Sequence, residues 1–240
     1  MAVVPYKEEK AGKKEQMAKM FNNISHRYDF LNHFLSLGID KIWRKTAIRL
    51  LKPLQPQTIL DVATGTGDFA VQAMSLKPRK VTGVDISEGM LAMGRKKIGR
   101  LGLSEKIELL VGDSENLQFG DNTFDAATVG FGVRNFEDLE KGLSEIQRVL
   151  RPGAMLVILE FSRPRKFPMR QLYNFYFKNI LPGLGRLISS DKSAYTYLPE
   201  SVEVFPDGTD FEKILGTVGF KETSCKPLTF GISSIYTARK

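Results

Sequence analysis

Between residues 58 and 162, short apolar runs alternate with segments whose apolar positions fall at helical spacing. "TILDVAT" (58–64), "KVTGVDIS" (80–87), "IELLVGD" (107–113), "FDAATVGFGV" (124–133) and "AMLVILEFS" (154–162) read as strands. "GDFAVQAMSL" (67–76), "EGMLAMGRKKIGRLG" (88–102) and "EDLEKGLSEIQRVL" (137–150), the last closed by "RPG", read as helices. Strands alternating with helices predict βαβ units and a parallel sheet covered on both faces. After residue 206 the pattern returns as a helix (208–219) and two strands (220–229 and 233–240) joined across "FGI". The expected fold is therefore α/β: a doubly wound, mostly parallel seven-stranded sheet, Rossmann-like, ending in an antiparallel C-terminal hairpin.

Two regions lie outside that alternation. From Met17 to Leu51 the apolar positions keep a helical period, and "KPLQPQ" ends the run, so 17–52 is expected to form an N-terminal helical cap. Residues 1–16 are polar and charged and are expected to form a mobile arm. Residues 163–206 carry aromatics and prolines and are expected to form a helical insert within a single overall domain, 53–240. From Phe161 to Ser190 there is no Asp or Glu, but there are six Lys or Arg and several aromatics. Such a segment suits an interfacial helix against anionic lipid. It equally suits a lid packed on the core or on a second subunit of a homodimer.

The strand ends carry the candidate chemistry. Asp61 lies in the first strand, and Gly65-Thr66-Gly67 follows it at the switch point where open α/β sheets bind ligands. Asp85, next to Ile86, ends the second strand, and Asp113 with Ser114 ends the third. One strand-end aspartate is an ordinary helix cap. Three of them beside a bare-backbone turn describe a nucleoside pocket. "GTGDFA" also satisfies the relaxed dinucleotide fingerprint, which keeps an NAD oxidoreductase among the readings. An acid-rich pocket repels a pyrophosphate, however, and welcomes a cationic nucleoside such as S-adenosylmethionine.

Composition narrows the surroundings. One cysteine and two histidines exclude a disulfide framework and any familiar zinc spacing, so no metal is expected. No apolar run is long enough to cross a bilayer, and the N-terminus lacks a signal-peptide core. A cytoplasmic protein is expected, with the inner face of the plasma membrane as a surface it can meet. The net charge of +8 admits RNA, but no RNA module is evident and no nucleic-acid partner is expected.

"LDVATGTGD" resembles the first motif of class I S-adenosylmethionine-dependent methyltransferases. "YDFLNHFLSLGIDKIWR" (28–44) and "RVLRPGAMLVILEFS" (148–162) resemble the two signatures of the family that C-methylates the ring of menaquinone and ubiquinone precursors. "FGVRN" (131–135) and "YTYLPES" (195–201) match it too. Asp40 stands where that family often has histidine, and Arg151 and Ala154 where it has lysine and glycine. The resemblance implies methyl transfer from S-adenosylmethionine, leaving S-adenosylhomocysteine, to a prenylated hydroquinone, on either quinone branch. It implies that Gly65, Thr66 and Gly67 contact the cofactor. Asp85 and Ile86 then meet the ribose, Asp113 and Ser114 the adenine end, and Asp61 orients the turn or, through water, the ammonium.

For the acceptor, Phe131, Arg134, Asn135 and Asn32 are the expected contacts, and Arg134, Tyr28 and Asp29 the expected catalytic groups. Arg134 cannot lose a proton, but it can hold a phenolate oxygen. A bland alternative pairs it with Glu137 or Asp138. For Tyr28 and Asp29 the alternative is packing and helix bridging. A methyltransferase acting on RNA or another small molecule, and a non-catalytic scaffold, complete the readings.

Overall fold

The seven expected strands pair into one sheet in the computed structural model, which describes residues 3–29, 36, 38–176 and 193–240. The strands are β1 (Thr58–Val62), β2 (Lys80–Asp85), β3 (Ile107–Val111), β4 (Phe124–Gly130), β5 (Leu150–Phe161), β6 (Lys221–Leu228) and β7 (Ser233–Arg239). Their order is β3-β2-β1-β4-β5-β7-β6. β1 to β5 run parallel, β7 is antiparallel to β5, and β6 is antiparallel to β7. Order reverses between β1 and β4, so the loops after these strands diverge and leave a crevice.

Helices cover both faces. On one side α1 (Lys13–Ile24), α3 (Asp68–Ala73) and α4 (Glu88–Arg100) accompany the β1 to β3 half, while α2 (Ile39–Arg49) packs against β5 and α3. α5 (Leu139–Val149) and α8 (Thr209–Thr217) cover the other face, and α6 (Met169–Phe175) and α7 (Ser193–Val204) belong to the insert. Alternate residues of each central strand feed two apolar clusters. Leu60, Val62, Ala127 and Leu156 join Leu143, Ile146 and Phe211, whereas Ile59, Val81, Ala126 and Val157 join Ile48, Ala70 and Leu91. Burial on both faces is why these strands read as near-continuous apolar runs. Each fully buried Leu or Ile contributes about 1.5–3 kcal/mol.

Two expectations change, and a third gains detail. Residues 3–16 are not a free arm. α1 begins at Lys13, and Gln16 is buried with its amide bonded to the Tyr6 N–H and the Ala11 carbonyl. The charges of this segment are anchors rather than a solvated tail: Lys13 Nζ donates to the carbonyls of Phe136 (2.7 Å) and Arg134 (3.2 Å). β5 starts at Leu150 rather than 154, because "RPG" belongs to the strand and is absorbed by a register shift against β4. The C-terminal hairpin forms, but β7 wedges between β5 and β6, so β7 is mostly buried and β6, with Lys221, Lys226 and Pro227, is the edge. Lysine and proline are common protections of an exposed edge. Among the described residues no helix is long and apolar enough to cross a membrane.

Candidate active site

The turn after β1 is built on its aspartate. Asp61 is fully buried and accepts hydroxyl bonds from Thr64 (2.5 Å) and from Thr128 (2.7 Å) on neighbouring β4. Burial pushes its carboxyl up to about 6, against those two bonds. Asp61 thus braces the turn from beneath. Gly65 takes φ +56°, and its N–H donates to Asp85 Oδ2 (2.8 Å), tying the turn to the end of β2. A Cβ at Gly65 would sit 3.1 Å from Met90 Cε in a conformation that side chains disfavour. Asp85 Oδ1 accepts the Ser87 N–H (2.8 Å), and burial pushes this carboxyl up to about 6 as well.

A first cavity of about 640 Å³, partly open to solvent, lies over these strand ends. Gly65, Asp85, Ile86, Asp113, Ser114, Phe131 and Asn135 all line it, so most of the expected nucleoside and acceptor residues are brought together. α1 forms its roof with Lys14, Met17 and Phe21. Lys14 Nζ bonds Asp113 Oδ2 (2.6 Å) and Glu115 Oε2 (3.0 Å). Glu115 is itself buried, and its other oxygen accepts the N–H groups of Glu137 (2.9 Å) and Asp138 (3.1 Å).

A second cavity of about 770 Å³ adjoins the first and shares Phe21, Tyr28 and Phe131 with it. Its walls are largely aromatic: Trp43, Phe131, Phe161 and Tyr197. Phe131 and Phe161 lie with centroids 4.5 Å apart. Two guanidiniums flank the pair, Arg44 over Phe131 (5.5 Å) and Arg134 over Phe161 (5.4 Å). Arg134 does not bridge to Glu137 or Asp138. Its Nη1 pairs with Glu160 Oε1 (2.7 Å) and donates to the Phe131 carbonyl (2.6 Å), while Nε donates to Ser201 Oγ (3.3 Å). Glu160 is 0% exposed, and burial pushes its carboxyl up against the pull of Arg134. Arg44 is held by Asp40 one helical turn earlier, and Asp40 also accepts from Ser36 Oγ (2.7 Å). Tyr197 donates to Asn135 Oδ1 (3.0 Å), and burial pushes its phenol up to about 12.

Other expected residues lie elsewhere. Asp29 lines neither of these cavities. It accepts from the Thr66 hydroxyl and pairs with Lys97 (2.6 Å) on α4, a bridge behind the turn. The structure thus shows Asp29 in the bridging arrangement, its carboxylate drawn to Lys97. The Thr66 hydroxyl bonds Asp29 and Lys97, and Thr66 lines a small space with Asp61 and Arg44 that shares Tyr28 and Gly65 with the first cavity. Gly67, at φ +80°, starts α3 and lines neither cavity. Asn32 lies outside the described residues. Lys14, Arg44, Glu115 and Glu160 escaped the sequence reading. Asp40 and Arg44 had a usable signal in their i,i+4 spacing on a helix. Glu160 had one too, as a lone acid in an apolar strand that required a partner.

Comparison with known proteins agrees with this geometry. A demethylmenaquinone methyltransferase of Bacteroides fragilis is 53% identical over 240 residues, covering 99% of this chain and 97% of its own. One of Chlorobaculum tepidum is 46% identical, covering 95% and 93%. A ubiquinone/menaquinone biosynthesis C-methyltransferase UbiE of Geobacter sulfurreducens is 44% identical, covering 95% and 90%. Among solved structures, a SAM-dependent methyltransferase of Thermotoga maritima superposes with a TM-score of 0.65 at 22% identity, covering 92% of this chain and 99% of its own. One from Aquifex aeolicus gives 0.55 at 22%, covering 76% and 81%. These distant structures share the fold. The profile of the ubiE/COQ5 methyltransferase family matches residues 8–240, and the chain belongs to that family.

Proposed function

We propose that the protein transfers a methyl group from S-adenosylmethionine to a ring carbon of a prenylated hydroquinone, converting demethylmenaquinol to menaquinol. The observation that carries this reading is the pair of cavities meeting at Tyr28 and Phe131, one edged by acids and the other by aromatic rings and two guanidiniums.

The first cavity fits the cofactor by the chemistry of its donors. Asp85 offers its carboxylate to hydroxyls and to positive charge, Asp113 does so beside Lys14, and the bare backbone at Gly65, Gly112 and Gly130 permits close approach. A dinucleotide's pyrophosphate would meet those same carboxylates unfavourably. When bound, the cofactor supplies an electrophilic methyl group on a sulfonium.

The second cavity suits the acceptor ring. Phe131, Phe161 and Trp43 offer flat apolar walls, and Trp43 is fixed by its indole N–H to Thr229 Oγ1 (2.8 Å). Arg134 has five N–H donors, of which three are bonded. The two on Nη2 have no partner among the described residues and are available to a ring oxygen. Arg44, across the stacked pair, supplies a second positive charge for the other oxygen of a para-hydroquinone. Opposite charge favours the deprotonated ring hydroxyl, which makes the adjacent carbon nucleophilic. The hydroxyl proton departs through water ordered by Arg134. Methylation replaces a ring hydrogen, which leaves as a proton when aromaticity returns. Glu160 and Ser201 hold Arg134 in place, and α1 with Tyr28 shields the junction from water.

The relatives carry names for both quinone branches, so the test offers both acceptors. Purified protein with methyl-labelled cofactor should convert reduced demethylmenaquinone to a product one methyl heavier by mass spectrometry. A product only from the benzoquinol precursor reassigns the branch, and none from either overturns the reading.

A further inference from the structure

The strand that delivers Phe161 to the ring cavity continues into the acid-free segment. Arg163 and Arg165 are tied to buried Asp207 (3.2 and 3.0 Å), which fixes the start of the segment to the body. Beyond them the side chains turn outward. Phe167 is 82% exposed and Leu172 58%, with exposed Lys166 and Arg170 between and beside them. Neither cation has an ion pair among the described residues.

A second element reaches the same edge. The turn Thr229–Gly231 between β6 and β7 lies against Arg163 and Pro164, since the Ser162 hydroxyl donates to the Gly231 carbonyl (2.9 Å) and a Cβ on Gly231 would be 3.5 Å from Pro164 Cα. This turn presents Phe230, 79% exposed and at φ +58°. Thr229 in the same turn anchors Trp43, a wall of the ring cavity. Lys226, close by on β6, is exposed too. An exposed acid, Glu203, lies 3.8 Å from Arg163.

Large aromatic side chains held outward from two elements that meet at Ser162 and Gly231, with exposed lysine or arginine on each, match the chemistry of one occupant. Aromatic and aliphatic groups enter the acyl boundary of a bilayer while cations meet its anionic headgroups. We propose that Lys166, Phe167, Arg170, Leu172, Phe230 and Lys226 form a docking surface for an anionic lipid bilayer. The surface stands on its exposure and charge. The further statement that it presents the ring cavity to the lipid rests on the proposed function, because a prenylated acceptor resides in that lipid.

The test is flotation of the full chain with phosphatidylcholine vesicles, with and without phosphatidylglycerol. The wild type should float with the anionic vesicles, lose that association in high salt, and stay behind with pure phosphatidylcholine. Phe167→Ser with Phe230→Ser, and separately Lys166→Glu with Arg170→Glu, should each lower the partition coefficient about tenfold or more. Both variants should keep the wild-type melting temperature and cofactor affinity, since these side chains are exposed. No flotation of the wild type overturns the proposal, as does flotation unchanged in either double variant. A monomer–dimer equilibrium abolished by the aromatic pair would instead assign the patch to a second copy. Flotation without methylation of any quinol would leave this surface standing and remove the proposed function, and the reverse outcome would separate them the other way.

Discussion

Both oxygens of Asp85 accept backbone N–H bonds, from Gly65 and Ser87, and each keeps a lone pair for a ribose hydroxyl. Charged hydrogen bonds of this kind contribute about 1.5–3 kcal/mol, so Asp85→Ala should weaken cofactor binding by about 10- to 100-fold, measured by calorimetry. Burial raises this carboxyl to about 6, and the ionised form is the better acceptor. Wild-type affinity should therefore decline as pH falls below about 6. An affinity indifferent both to the substitution and to acid would remove Asp85 from the site. Arg134 calls for a gentler substitution, because alanine would leave Glu160 as an unpaired buried acid. Arg134→Lys keeps the charge but not the guanidinium fork. It should lower kcat at least tenfold with cofactor affinity unchanged, and a wild-type kcat would show that Arg134 only braces the fold. The sequence named Asp85 and Arg134 through their positions at strand ends. It did not show that the charge of Arg134 is balanced by Glu160, because that pairing joins residues 26 apart, with α5 and most of β5 between them.

At the scale of elements, α1 is the part of the site least visible in the sequence. Its charged first turn looks solvated, yet Lys13 and Lys14 reach carbonyls and carboxylates contributed by the loops after β3 and β4. The far end of α1 is pinned by Asn22, whose side-chain oxygen accepts the Ser87 hydroxyl (2.8 Å) and the Gly89 N–H (2.9 Å) at the start of α4. Asn22→Ala removes both bonds and loosens the roof of the first cavity without touching its walls. Cofactor dissociation, followed by stopped-flow fluorescence, should accelerate several-fold. An unchanged rate would mean that exchange does not require α1 to move. The central strands and their helices were legible because burial on both faces writes long apolar runs and glycine-marked turns. The wedge position of β7 was not, because two antiparallel strands read alike whichever of them pairs with β5. Thr66 was placed by motif, and Asp29 was weighed between catalysis and helix bridging. Lys97, 31 residues beyond Thr66, draws both away from the cavities.

Across the whole molecule, three carboxyls at the functional end of the sheet, Asp61, Asp85 and Glu160, are raised by burial. A carboxyl raised in the folded state binds more protons folded than unfolded, so its contribution is fully present below the unfolded value and is lost as pH rises through the folded one. Asp125 and Asp207, where backbone and arginine bonds outweigh burial, and Glu145, bonded to Arg148, shift downward and act in the opposite sense. Net stability against pH is the sum of both sets and isolates neither. A difference measurement does. Asp61 is the cleanest member because its side-chain partners are the hydroxyls of Thr64 and Thr128, which can donate or accept, and its remaining donor, the Ala70 N–H, can stay on the amide oxygen of an asparagine. Asp61→Asn can thus keep both bonds, with one threonine reversed, while removing the titration. The unfolded carboxyl titrates near 3.8 and the folded one near 6. Subtracting the wild-type unfolding free energy from that of the variant, in urea without cofactor, should give a difference that rises in the variant's favour by about 1–3 kcal/mol between pH 4 and 7. A difference that stays flat across that window would mean Asp61 is ionised in the fold at no cost, with Arg44 near enough to compensate its burial. The turn before Gly65 would then rest on a charge pair, where the structure has it resting on two hydroxyl bonds to a carboxyl that burial raises to about 6.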